Sequence, residues 1–160
     1  LDFRLYANRS ENSDFVCNAF NHFTPSPCNI YIAVAFFNEA QLLKDLSNRN
    51  CPIRIVVRLG HPTSPKALKE ISEISGIQIR YVTDRSFHPK LYIFGDNVAL
   101  IGSANLTNAG IRTNQEIMVT IPSDDPRFEE LTGLFSDYWD QAKVLTSDIL
   151  DAYLDYVIDT

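Results

Sequence analysis

Between Ser86 and Val119 the sequence gathers side chains that could act on a phosphoryl group. In a strand predicted from Phe87 to Phe94, positions 88, 90, 92 and 94 share one face, because side chains alternate with period two. His88 and Lys90 therefore project together, while Leu91 and Ile93 face the other way. Shortly after, Gly102-Ser103-Ala104-Asn105 presents a hydroxyl and an amide two residues apart, with backbone N–H groups freed by the glycine. Such an ammonium, hydroxyl and amide can hold the oxygens of a phosphate while the imidazole attacks phosphorus. The same stretch contains no Asp/Glu/His cluster at metal-ligand spacing, so no metal and no cofactor is expected.

These residues need a scaffold. Phe3–Tyr6 reads as a strand, and a helix begins after Ser13-Asp14, with Phe15, Val16, Ala19, Phe20 and Phe23 as its apolar set and Pro25 and Pro27 as its stop. Cys28–Phe37 reads as a central strand, Asn38–Leu46 as a helix, Ile53–Leu59 as a strand, Pro65–Ser75 as a helix and Ile77–Val82 as a strand. That alternation implies βαβ crossovers. A hairpin then joins Phe87–Phe94 to Val98–Ile101 through Gly95-Asp96-Asn97, Gln115–Ile121 adds a strand, and helices at Asp125–Ala142 and Ser147–Ile158 close the chain. The fold class expected is α/β, a mixed, largely parallel central sheet flanked by helices on both faces. With no internal repeat and no linker, residues 1–160 read as a single domain. The lack of an initiator Met suggests a piece of a longer chain.

Composition narrows the partners. No apolar run approaches the roughly 18 residues that cross a membrane, and no basic, apolar leader opens the chain. Three scattered cysteines, Cys17, Cys28 and Cys51, suit a reducing cytoplasm. The net charge of −6 argues against nucleic acid only as an average. Residues 49–112 carry nine basic and four acidic groups, whereas residues 113–160 carry two and eleven. The basic segment, with Arg49, Arg54, Arg58, Arg80, Arg85, Lys90 and Arg112, contains the candidate site. The acidic helices are expected to face away from the substrate groove.

The run from His88-Pro89-Lys90 to Gly102-Ser103-Ala104-Asn105 resembles the phospholipase D superfamily, whose signature is His-x-Lys, an Asp, then Gly-Ser-x-Asn. The distance from His88 to Gly102 equals the family's. The family's Asp falls where this chain has Gly95; Asp96 stands one place later and is read as a turn-shaping residue. Glu116, eleven residues beyond Asn105, matches a Glu of the superfamily's small nucleases. By the resemblance it would hydrogen-bond the far nitrogen of an active-site histidine and stabilise the imidazolium. The resemblance implies a phospholipase D-like domain with His88, Lys90, Ser103, Asn105 and Glu116 as catalytic residues and Gly102, Arg58 and Arg112 at the substrate.

Family chemistry needs two histidines, and the chain has one His-x-Lys. The resemblance therefore implies a twofold homodimer with one composite active site and a phosphohistidine intermediate, the lysines replacing a metal. The wording around the motif is most similar to metal-independent restriction endonucleases and helicase-fused nucleases. Expected from this is a DNA endonuclease. A phospholipid phosphodiesterase and a non-catalytic nucleic-acid- or phosphate-binding dimerisation module are the alternatives.

Each residue also has a plainer reading. Ser103 and Asn105 could simply shape a turn, and Lys90 or Glu116 could be a solvated strand charge. His61 reads as a loop histidine and His22 as structural. Tyr92 and Phe94 could stack on a base but fit sheet packing better, and Tyr138 and Trp139 read as helix anchors.

Overall fold

The computed structural model describes residues 4–8 and 15–159. The elements are strand β1 (Leu5–Asn8), helix α1 (Phe15–His22), strand β2 (Ile30–Val34), helix α2 (Ala40–Asn48), strand β3 (Ile53–Arg58), helix α3 (Pro65–Ser72) and strand β4 (Ile77–Val82). There follow strands β5 (Lys90–Phe94), β6 (Val98–Gly102) and β7 (Glu116–Pro122), helix α4 (Pro126–Gln141), the short strand β8 (Lys143–Val144) and helix α5 (Ser147–Asp159). A π-helical turn, Ala109–Thr113, lies between β6 and β7. The proposed Ser13-Asp14 cap and Phe3 fall outside the described residues.

The strands form one sheet in the order β1-β7-β6-β5-β2-β3-β4-β8. Ile30, Ile32, Ala33 and Val34 are all fully buried, so β2 has the unbroken apolar run that a strand covered on both faces requires. β3 and β4 join it in parallel, in the register Ile30–Ile53–Ile77. The mixed sheet with helices on both faces was expected, but it is not largely parallel: the other five pairings are antiparallel. The reason is the hairpin after β5. A two- or three-residue turn can only reverse the chain, and β5 itself enters beside β2 without a crossover helix.

β5 starts at Lys90 rather than Phe87. Pro89 has no N–H for the ladder, although its carbonyl still accepts Ala35 N–H at 3.3 Å. His88 therefore precedes the strand. The turn at Ala109–Thr113 and the strand β8 had no period from which to be read, being only five and two residues long.

One apolar layer lies under α1, α2, α3 and α5 and includes Phe20, Leu43, Leu68, Leu150 and the inward faces of β2 and β5. The other lies under α4, where Phe128, Phe135 and Trp139 cover Ala33, Val56, Leu91 and Ile93. Among the described residues no helix is long and apolar enough to cross a membrane.

Candidate functional site

The carboxyl ends of β2 and β6 meet the amino ends of β5 and β7 at one edge of the sheet, since β5 pairs Lys90 with Val34 and β7 pairs Met118 with Gly102. His88 is exposed there and Lys90 half-buried. The Lys90 ammonium contacts His88 Nδ1 and donates to the His88 carbonyl at 3.0 Å. Burial holds the Lys90 pKa below its ordinary value; Arg58 pushes the same way, and the Glu116 carboxylate opposes both.

Facing this pair is the Gly102–Asn105 segment, and the structure shows why it is built from small residues. A Cβ at Gly102 would stand 2.1 Å from the Ile117 carbonyl and 2.7 Å from Met118 Sδ, so only hydrogen fits between β6 and β7. Ser103 N–H donates to Ile117 O at 3.0 Å, and its hydroxyl accepts Ile117 N–H at 3.0 Å. The hydroxyl proton goes to the Glu116 carboxylate. Ala104 is held from two sides, by Tyr92 Oη donating to its carbonyl at 2.8 Å and by Met118 Sδ accepting its N–H at 3.3 Å. Asn105 Oδ1 accepts Phe36 N–H at 3.2 Å, which ties the end of β6 to the end of β2. The amide NH2 is then the group Asn105 can offer an anion.

Several of these supports were not legible as site residues. Tyr92 is fully buried, so it and the equally buried Phe94 pack in the sheet and cannot reach a base; Tyr92 acts by positioning Ala104. Burial, and behind it Glu116, pushes the Tyr92 hydroxyl well above its ordinary pKa, keeping it a neutral donor. Phe36 and Met118 are ordinary apolar residues in the sequence. Gly110 supports Asn105 from behind, because a Cβ there would meet the Asn105 carbonyl at 2.3 Å.

The remaining expected residues divide. Arg58 lies at the same edge: its guanidinium covers the Phe36 ring at 4.5 Å, and that ring meets His88 edge-on at 6.0 Å. Arg112 is half-buried and paired with Glu39 at 3.5 Å, near the start of α2. In the single chain Glu116 bonds Ser103, while the His88 ring contacts Lys90. Asp96 is in the β5–β6 turn, at the opposite end of β5 from His88, which agrees with a turn-shaping role. His22 ends α1 and stacks edge-on with Phe23, and His61 lines the cavity beside Arg58. Trp139 anchors α4 as expected, and Tyr138 meets Phe87 edge-on at 5.2 Å. Among the described residues no three His, Cys, Asp or Glu side chains gather as a metal site.

The basic segment does not converge as a whole. Arg54 and Arg80 are spent on α4, their guanidinium groups 5.6 and 4.4 Å from the Trp139 ring, and Arg80 also donates to the Trp139 carbonyl at 2.7 Å. Arg49 bonds Asn21 at the other end of β3. Arg58 and Lys90 stand at the site, with Arg85 beside Arg58. The acidic helices do not lie wholly away from it either. Leu131, Leu134 and Tyr138 of α4 border the groove below His88, and Tyr153 and Tyr156 of α5 border the cavity beside Arg58. Several of their acids turn away: at 3.6 residues per turn Asp148, Asp151 and Asp155 fall off the Tyr153–Tyr156 face, and Glu129 and Asp140 line a recess near Asp96.

A His-x-Lys pair and a Gly-Ser-x-Asn turn held against each other at the end of a mixed sheet are the marks of a phospholipase D-like domain. The chain belongs to that family: residues 22–139 match the profile described as "Cardiolipin synthase, PLD-like domain". Among solved structures, NucT from Helicobacter pylori superposes with a TM-score of 0.75 at 12% identity, over 90% of this chain and 99% of that one. Nuc from Salmonella typhimurium, a phospholipase D family member, does so with a TM-score of 0.73 at 20% identity, over 91% and 100%. A curated relative, the 5'-3' exonuclease PLD3 of Xenopus tropicalis, is 31% identical over 106 residues, or 62% of this chain. The match covers 21% of that relative's length.

Proposed function

We propose that the chain is a metal-independent phosphodiesterase that cleaves DNA, an endonuclease of the restriction or helicase-associated kind, working as a twofold homodimer. The observation that carries this reading is the convergence of His88, Lys90, Ser103 and Asn105 at one sheet edge, with the Ser103 hydroxyl oriented by Glu116. On this reading His88 attacks phosphorus to form an N–P bond as the bond from phosphorus to the leaving oxygen breaks. That oxygen takes a proton from the imidazolium of His88 of the partner subunit. Water then attacks the phosphohistidine and gives its proton to that same partner imidazole, releasing a phosphomonoester and restoring both rings. Lys90, Ser103 and Asn105 hold the phosphate oxygens, and the Glu116 carboxylate opposes the effect of burial on Lys90.

Support for the dimer comes from the groove beneath the site. His88, Lys90 and Ser103 share it with Ile117, 58% exposed, and Leu134, 40% exposed, an apolar rim beside a charged centre. An isologous contact there would set the two His88 rings face to face. A reducing, cytoplasmic setting belongs to this reading; burial, with Cys51 beside it, pushes the Cys28 thiol up to about 11 and keeps it protonated. The exonuclease relative favours nucleic acid over lipid as substrate.

The test uses EDTA-treated protein, plasmid DNA and bis-p-nitrophenyl phosphate. Wild type cuts both, and His88→Ala loses at least about 10³-fold on both. Equal rates for the two proteins overturn the catalytic reading. Hydrolysis of phosphatidylcholine without DNA cleavage assigns the site to lipid. Sedimentation of wild type as a monomer at working concentration rejects the composite site.

A further inference from the structure

Beside Arg58, on the α5 side of the sheet edge, lies a second open cavity of about 670 Å³ that the phosphodiesterase mechanism does not use. Its walls are built rather than incidental. The Tyr153 hydroxyl donates to the Thr63 carbonyl at 2.6 Å and accepts Gly60 N–H at 3.2 Å, pinning α5 to the loop after β3. On the other side Asp84 accepts both Ser86 N–H and the Ser86 hydroxyl at 2.8 Å, closing the turn that carries Arg85. Arg58 donates to the carbonyls of Arg85 and Phe87 at 2.7 and 3.2 Å, fixing that turn to β3.

The chemistry inside is specific in kind. Tyr156 is 60% exposed, one turn beyond the buried Tyr153, and lines the cavity with it. Around it stand Arg58, Arg85 and His61, while Asp148, Asp151 and Asp155 of α5 lie off this face. An aromatic plane with guanidinium groups at its edge, in a chain of net charge −6, fits a ligand that is planar at one end and anionic at the other. The cavity also neighbours the candidate site. Arg58 lies over Phe36, and Phe36 touches the His88 ring, so one aromatic ring separates the attacking imidazole from the cavity's guanidinium wall.

We propose that this cavity is the subsite for the nucleotide flanking the scissile phosphate, its base stacked on Tyr156 and its phosphate held by Arg85 and Arg58. The assignment rests on reading the His88 site as a nucleic-acid phosphodiesterase. Stacking uses the π-face that every base has, so the subsite strengthens binding without reading sequence.

The experiment compares wild type, Tyr156→Ala, Tyr156→Phe and Arg85→Ala. Binding of a fluorescein-labelled single-stranded oligodeoxythymidylate is followed by anisotropy, with each substitution placed in the uncut His88→Ala background. Tyr156→Ala weakens binding about 5- to 100-fold and Tyr156→Phe restores it. Arg85→Ala lowers the salt slope of binding by about 0.7, one single-strand phosphate contact. In the His88-intact series, the ratio of kcat/KM on the oligonucleotide to that on bis-p-nitrophenyl phosphate falls by a similar factor for Tyr156→Ala. Binding by Tyr156→Ala equal to its background, or an unchanged ratio, overturns the subsite. Wild type inert on both substrates is a failure of the phosphodiesterase reading instead, and the anisotropy series then still decides whether the cavity holds a nucleotide.

Discussion

Ser103 gives its hydroxyl proton to Glu116 and takes the N–H of the next residue, Ile117, at 3.0 Å. One side chain thus orients the hydroxyl, and the backbone of β7 fixes where it stands. Glu116 also supplies the negative charge that raises the Lys90 pKa against burial and Arg58.

Glu116→Gln therefore has two effects that Ser103→Ala does not share equally. Both variants lose about 10- to 100-fold in kcat/KM, and the double variant loses little more than the worse single one, because the two groups act as a unit. With the carboxylate neutralised, Lys90 releases its proton more easily, so the limb of the pH–rate profile that Lys90 sets, distinct from that of the general-acid imidazolium, moves to lower pH in Glu116→Gln. Ser103→Ala leaves that limb in place. A shift to higher pH in Glu116→Gln contradicts the electrostatic role assigned to the carboxylate.

Gly102→Ala tests the close approach of β6 and β7. Its Cβ would press on the backbone carbonyl of Ile117, which cannot swing aside without opening the Ser103–Ile117 hydrogen bonds. The expected cost is about 2–3 kcal/mol, a fall in Tm of about 4–12 °C. Activity should fall further than stability predicts at temperatures where the variant is fully folded. A Tm equal to wild type by calorimetry removes the packing argument.

Stability against pH has a separate handle at the start of α4. Asp125 caps the helix by accepting Arg127 N–H at 2.9 Å, and the Arg127 guanidinium beside it, with that backbone bond, holds its carboxyl down at about 2. The folded pKa is depressed, so the contribution is complete above the unfolded value of 3.8 and is lost as pH falls toward 2. Asp125→Ala should have a Tm about 2–4 °C below wild type at about pH 6, and the two melting curves should draw together below about pH 3. A Tm gap that stays constant down to about pH 2 assigns the effect to helix propensity alone.

Much of this molecule was legible from local pattern. The unbroken run Ile30–Val34 can only be a central strand, Pro65 and Asp125-Pro126 can only open helices, and the five-residue strand before Gly95 requires a hairpin. The candidate site was legible for the same reason. His88, Lys90, Ser103 and Asn105 lie at the open ends of one hairpin, and short-range spacing determines which of them can meet.

Tertiary structure alone decided what comes from elsewhere in the chain. The mixture of parallel and antiparallel pairing depends on where β5 inserts, and no local period encodes a neighbour. Phe36, Met118 and Gly110 reach the site because β2, β7 and the π-helical turn are folded onto it, though in sequence they look like any core residue or loop glycine. Arg54, Arg80 and Arg58 carry the same charge and share one face of the sheet, yet their positions along the strands send two to Trp139 and one, at the end of β3, to Phe36 beside His88. Charge and chemical type are properties of a residue, and the sequence determines them. Which charges gather is a property of distance, and only folding sets that.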